Sequence, residues 1–236
     1  MWLTLAITSV LSLVCLLFLR SGWQQHAAIR TWRKAFAINK HLLVYQQLYA
    51  DVDGFALSKA ARTNQDALEY VYGEIDFESF VALLGLCKPD ISTVFYDLGS
   101  GTGKAVLACA MVFNVQKCCG VELFASLHQS ALKQQQRLSH IPAYRDKAAR
   151  IEFKQANFFD TQFTDASLIF VNATAFLGET WLALSKHIEQ VKPGAVVIST
   201  TKSLRSNLFT LLTRTQVAMS WGIVEAFIQK RLGWGD

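Results

Sequence analysis

The chain lacks several features that would settle its chemistry early. Its five cysteines, Cys15, Cys87, Cys109, Cys118 and Cys119, contain no CxxC pair. Without that spacing neither a zinc site nor a dithiol redox motif is expected, and no metal centre is assigned. Cys118 and Cys119 fall in an apolar stretch that suits strand core, and the set reads as free thiols in a reducing compartment. A polybasic tract is also missing. The 23 basic and 18 acidic residues leave a formal charge of +5 over 236 residues, too little for a dedicated nucleic-acid domain. No internal repeat or low-complexity segment is present. The sequon Asn172-Ala173-Thr174 falls where a site is expected, so it is read as coincidence.

What is present is apolar: 52% of the residues are hydrophobic, enough for one α/β domain and an extra segment. Trp2 to Leu19 carries no charge and is long enough for a membrane-spanning helix. No Lys or Arg precedes it and no small-x-small site follows, which argues against a cleaved signal peptide. Arg30, Arg33, Lys34 and Lys40 come soon after. The positive-inside rule then predicts a single-pass membrane protein with a cytoplasmic catalytic domain. The expected division is an anchor at 1–20, amphipathic or linker and lead-in helices at 21–65, and a catalytic domain at 66–236.

The catalytic part is organised around Thr93 to Leu107. Val94 to Tyr96 suits a strand buried on both faces. Gly99, Gly101 and Gly103 allow a sharp turn and close approach of a ligand to the backbone. An apolar helix follows, whose first N–H groups face that turn. The spacing is an acid, Asp97, followed by GxGxG. It is neither the dinucleotide GxGxxG nor a P-loop, because no Lys-Ser/Thr pair follows. A second strand ends at Glu122, placed to accept two ribose hydroxyls. Third and fourth strands end at Asn157 and Asn172. Phe158 is a candidate cover for an adenine face, and Asn157 for its amino group. Asp76 to Leu86 predicts a helix, Leu204 to Thr213 another, and 216–229 a closing hairpin through Gly222. Together these predict a doubly wound, mostly parallel, seven-stranded sheet.

The acid-GxGxG turn resembles the first motif of class I S-adenosylmethionine-dependent methyltransferases. Val71-Tyr72-Gly73-Glu74, DLGSGTGKAVL at 97–107, GVE at 120–122, NFF at 157–159, SLIFVNATAF at 167–176, VKPGAVVIS at 191–199 and SW at 220–221 occur in one order. That series resembles the DOT1 family of protein lysine methyltransferases over about residues 68 to 230. The resemblance implies S-adenosylmethionine as cofactor and a protein lysine as methyl acceptor, in histone H3 for family members. It implies that Tyr72 and Glu74 lie in a loop over the cofactor. It implies that Asp97, Gly99, Gly101, Gly103, Glu122, Asn157 and Phe158 bind the cofactor, and that Asn172 sits near the transferred methyl. Phe227 falls at the place of a substrate-channel tyrosine, with Phe176 and Trp221 as further wall candidates.

Some positions depart from the family's pattern. Ile75 replaces a hydroxyl residue, Lys104 a glutamine, Asn157 an aspartate, and Ala173-Thr174 an Asn-Phe pair. The family's basic DNA-contacting tail has no evident counterpart, which puts nucleosome binding in doubt. Two other readings stay open from sequence alone. One is a membrane-associated methyltransferase acting on a lipid, quinone or membrane-protein subunit. The other is a non-catalytic cofactor-binding adaptor.

Overall fold

The computed structural model describes residues 26–62 and 72–233. The chain divides into two compact units, Met1–Leu43 and Val44–Asp236. In the first, residues 26–35 form a helix (α1), and Ala37 breaks it with a left-handed φ of 47°. Ile38–Tyr49 (α2) follows.

The expected span at Trp2–Leu19 lies outside the described residues. Among the described residues no helix is long and apolar enough to cross a membrane. That finding corrects the expected single-pass placement with a cytoplasmic catalytic domain. The described helix nearest that stretch is short and carries Arg30, Arg33 and Lys34, which burial in lipid would heavily penalise.

The second unit holds the sheet. Its elements are α3 (Gly54–Ala61), α4 (Phe77–Leu86), β1 (Val94–Leu98), α5 (Lys104–Val112), β2 (Lys117–Glu122), α6 (Ala125–Ser139), α7 (Arg145–Ala148), β3 (Ile151–Gln155), β4 (Leu168–Val171), α8 (Gly178–His187), β5 (Val196–Thr200), β6 (Phe209–Met219) and β7 (Gly222–Arg231). Among the described residues the strands form one seven-stranded sheet in the order β3-β2-β1-β4-β5-β7-β6. The first five pair in parallel, and β7 runs antiparallel to both β5 and β6. This is the expected doubly wound sheet.

Burial follows composition. Every residue of β1 and β4 is buried; for β4 this follows from its unbroken apolar run, whereas β1 buries Asp97 as well. α4 starts at its cap Asp76, which accepts from the Ser79 N–H, and it buries Phe77, Phe80, Val81, Leu83 and Leu84. Each such side chain contributes about 1.5–3 kcal/mol when fully removed from water.

The helix expected over Leu204–Thr213 is absent, and β6 begins at Phe209 instead. The register shifts between Leu211 and Thr213, so both Leu211 and Leu212 face solvent. A bulge of this kind breaks the two-residue alternation that marks a strand.

The sheet positions the site through register. Leu98 lies level with Val121 on one side and Val171 on the other. The chain reverses direction of travel between β1 and β4, and ligands of such sheets bind beyond the strand ends at that point.

Candidate active site

A cleft of about 560 Å³ opens beyond the carboxyl ends of β1 to β4. Its floor is the glycine turn. The Gly99 and Ser100 N–H groups both donate to the Val121 carbonyl, at 2.9 and 3.0 Å. This bends the chain off β1 and leaves Gly99 at φ +85°, with open space where a Cβ would stand. Gly101, at φ +54°, turns its N–H onto Glu122 Oε2 at 2.8 Å. The other oxygen, Oε1, accepts from the Phe124 N–H at 2.9 Å. Glu122 is thus a buried carboxylate held on both oxygens by main chain. Burial raises its pKa and the two N–H groups work against that rise.

Asp97 differs. It is buried at the end of β1, and no side-chain hydrogen bond to it is found among the described residues. Burial, reinforced by the nearby Glu122 charge, pushes its carboxyl up to about 8. An orphaned acid facing a cleft is set to receive a cation or donor from a ligand.

The roof is the segment Tyr72–Asp76. The Tyr72 ring lies so close to Gly54 and Gly101 that a Cβ at either would come within 2.5 or 2.7 Å of it. Its hydroxyl donates to Glu74 Oε1 at 2.8 Å and meets Thr102 Oγ1 at 3.1 Å. Glu74 Oε2 pairs with the Lys104 ammonium, which also lies 5.2 Å from the Tyr49 ring centre. The Tyr49 hydroxyl donates to the Thr102 carbonyl at 3.1 Å. On the other side the roof is stitched to the β6–β7 hairpin. Ser220 N–H donates to the Glu74 carbonyl, Asp76 N–H to the Ala218 carbonyl, and Ile75 bridges Met219.

Asn172 closes the far end. Its amide donates to the Gly73 carbonyl at 3.1 Å, and its oxygen accepts from Thr174 and Thr200 hydroxyls at 3.0 and 2.9 Å. Beside it, Asn157 accepts from the Phe159 N–H at 3.0 Å and caps the short 3-10 turn that begins at Phe158. The Phe158 ring meets Phe176 edge-on at 5.5 Å.

Tyr72, Glu74, Asp97, Gly99, Gly101, Glu122, Asn157, Phe158 and Asn172 therefore line one cleft, as does Phe176. Gly103 and Phe227 are not among its lining residues. A Cβ at Gly103 would strike Phe153 and Ala131, so that glycine serves packing between α5, α6 and β3. Phe227 sits half-buried on β7, opposite Ser199 and Arg214. Trp221 is 45% exposed and lies with its ring on Gly73. Two charged cleft residues had no role assigned from sequence: Lys104, seen only as a departure from a pattern, and Glu179 in the first turn of α8. The acidic first turn was a visible signal for Glu179. For Lys104 nothing local pointed to its partner Glu74, 30 residues upstream.

The fold is that of class I methyltransferases. It superposes on an RNA methyltransferase from Salinibacter ruber in complex with S-adenosyl-L-homocysteine with a TM-score of 0.51 at 22% identity, over 67% of this chain and 95% of that one. On TrmN from Thermus thermophilus the TM-score is 0.53 at 17% identity, over 65% and 48%. In sequence the chain is 23% identical over 151 residues to the histone-lysine N-methyltransferase, H3 lysine-79 specific, of Candida glabrata, spanning 61% of this chain and only 23% of that protein. It is 26% identical over 117 residues to a protein-lysine N-methyltransferase of Saccharolobus islandicus, covering 50% of this chain and 67% of that protein. Residues 58–226, which carry both the glycine turn and the roof above it, match the family described as histone methylation protein DOT1, and the chain belongs to that family.

Proposed function

We propose that the protein is an S-adenosylmethionine-dependent methyltransferase whose acceptor is a protein lysine. The observation that carries this reading is the cleft itself, in a chain of the DOT1 family: a glycine cradle, a main-chain-held Glu122 and an orphaned Asp97 at adjoining strand ends. The names of the two relatives above support the protein-lysine part.

The residues present fit the cofactor. Gly99 offers the space that a Cβ would fill. Glu122 retains lone pairs beyond those used by Gly101 and Phe124, enough to accept ribose hydroxyls. Asp97 supplies a negative charge to the ammonium of the amino-acid end. Phe158 covers the adenine. Asn157 commits its oxygen to Phe159, which leaves its amide hydrogens to donate. Those suit a ring nitrogen of adenine better than the amino group.

When bound, the cofactor supplies a methyl on a sulfonium, which a neutral amine can take. The chain's own part is to hold that amine in line and keep it neutral. Ile75, Phe170 and Phe176 line the cleft near Asn172, and such apolar surroundings lower a lysine pKa by desolvation. The Asn172 side-chain oxygen already accepts two hydroxyls. Its role is therefore to hold the roof and the strand end in register, and alignment accounts for much of the rate.

The test is labelled S-adenosylmethionine offered with histones, nucleosomes and a cellular protein extract, followed by mass spectrometry. A methylated lysine is expected. Label confined to lipids or small molecules, or no transfer at all, overturns the reading.

A further inference from the structure

The wall of the cleft beside Asn172 is braced from behind by the end of β5. The Phe176 N–H donates to the Ala173 carbonyl at 3.2 Å and closes a turn after β4. Ala175 and Phe176 of that turn line the cleft. The Lys202 ammonium donates to the Phe176 carbonyl and lies 3.5 Å from the Thr174 carbonyl. Lys202 is not itself among the lining residues, so the carbonyls it meets are turned off the cleft.

A strained turn presents Lys202 there. Its N–H donates to the Thr200 carbonyl at 2.8 Å, which makes Thr201 the centre of a three-residue turn, at φ +64°. A β-branched residue with that φ is an outlier, and this form of γ-turn is rare. Such strain persists only where surrounding contacts over-determine it. The Ser199 hydroxyl donates to the Lys202 carbonyl at 2.8 Å, and the Trp181 indole N–H to the Ser203 carbonyl at 2.9 Å. Among the described residues no carboxylate pairs with Lys202. Glu225 on β7 pairs with Arg214 and meets the turn only through its main-chain carbonyl, at the Thr201 N–H. Arg205, beyond the turn, is exposed. Burial without an anion lowers the Lys202 pKa.

A lysine acceptor must be neutral to take the methyl. A main-chain carbonyl facing it would accept from its charged form and hold the proton on. Glu74, Asp97, Glu122 and Glu179, which line the same cleft, act in that direction too. A cation behind the wall acts in the opposite one. We infer that Lys202 is a positioning residue for methyl transfer: by drawing the Thr174 and Phe176 carbonyls off the cleft it keeps the acceptor wall apolar and the acceptor amine neutral. This rests on the protein-lysine reading above.

The test is the pH dependence of turnover, with labelled S-adenosylmethionine and with histones or a cellular protein extract as acceptor. The full-length protein is compared with Lys202→Met and Lys202→Arg. Turnover rises with pH as the bound acceptor loses its proton, and the midpoint reports the pKa in the complex. In Lys202→Met that midpoint is expected to move up by about one pH unit, and turnover at neutral pH to fall by about tenfold. S-Adenosylhomocysteine affinity by calorimetry stays nearly unchanged. Lys202→Arg keeps the charge and restores most of the turnover. Lys202→Gln keeps a neutral donor and gives a smaller shift of the same sign; it is read in place of the methionine variant if that one does not fold. An unmoved midpoint overturns the inference. So does slower turnover that merely follows a loss of S-adenosylhomocysteine affinity, which would show that Lys202 only braces the fold. If the unsubstituted protein binds S-adenosylhomocysteine but methylates no lysine, the acceptor reading itself fails and the inference falls with it, a result distinct from either of the others.

Discussion

The side-chain amide of Asn172 donates to the backbone carbonyl of Gly73 across 3.1 Å, joining the end of β4 to a segment 99 residues earlier in the chain. The same amide oxygen gathers the Thr174 and Thr200 hydroxyls. Asn172→Ala therefore removes one donor and orphans two hydroxyls. A loss of about 1–3 kcal/mol of stability is expected, with weaker S-adenosylhomocysteine binding because the roof is no longer tied down. Asn172→Asp is expected to be worse at neutral pH, since it sets an acceptor against the Gly73 carbonyl. Thermal melts and calorimetry check both. An alanine variant unchanged in both measurements would contradict this role.

Gly73 has a second neighbour. A Cβ there would come within 1.8 Å of Trp221 Cζ3, so Gly73→Ala must expel the indole from the roof. The expected signature is a red-shifted, more quenchable emission, assigned to Trp221 by repeating the measurement in a Trp221→Phe background. Gly194→Ala is the control. It meets nothing within 4 Å at φ +84°, so it costs about 1 kcal/mol of backbone strain and leaves the emission alone.

The strand-turn-helix around Gly99 was legible because its signals are consecutive in sequence. The ends of β1, β2 and β4 were found by a polar residue stopping an apolar run, and β3 by its alternation. Leu204, Leu208, Leu211 and Leu212 misled because their spacing imitates a helix face, while the bulge erased the strand alternation. Phe227 shows the opposite limit. Its strand was expected, but which face it takes depends on register, and one residue of slip reverses the answer. Ala226 and Ile228 are the buried apolar positions on β7, and half-buried Phe227 lies between them on the other face, which it shares with buried Gln229. The roof could be named from VYGE, yet its anchors are tertiary: Gly54, Asn172, Ser220 and Lys104 lie far from it in sequence.

Asp97 predicts a pH dependence with a definite sign. Its folded-state carboxyl is raised, by burial and then by Glu122, to about 8 from an ordinary 3.8. A raised acid binds its proton more tightly in the folded state. Its contribution to the stability of the free protein is therefore fully present below pH 3.8 and is lost as pH rises towards 8. A ligand ammonium beside it favours the ionised form, so binding at neutral pH should release a proton. Calorimetry of S-adenosylhomocysteine in buffers of different ionisation enthalpy measures that proton. Affinity should rise between about pH 6 and 8, and Asp97→Asn should abolish both the release and the slope. A buffer-independent enthalpy in the unsubstituted protein would refute the assignment.

Glu122 gives the strictest test of the ribose site, because its usual conservative replacement is not conservative here. Both of its oxygens accept main-chain N–H groups, Gly101 at 2.8 Å and Phe124 at 2.9 Å. In Glu122→Gln one of those positions becomes an NH₂ facing an N–H, a donor against a donor. The glutamine therefore keeps one contact, breaks the other, and pushes Gly101 away from the turn. Glu122→Ala loses both contacts and leaves two buried donors without acceptors. A hydrogen bond to a charged group is worth about 1.5–3 kcal/mol, so each variant should weaken S-adenosylhomocysteine by at least about tenfold. 5′-Methylthioadenosine retains the ribose, so Glu122 substitutions should weaken both ligands together. Full affinity for methylthioadenosine in Glu122→Gln would show that the ribose lies elsewhere in the cleft.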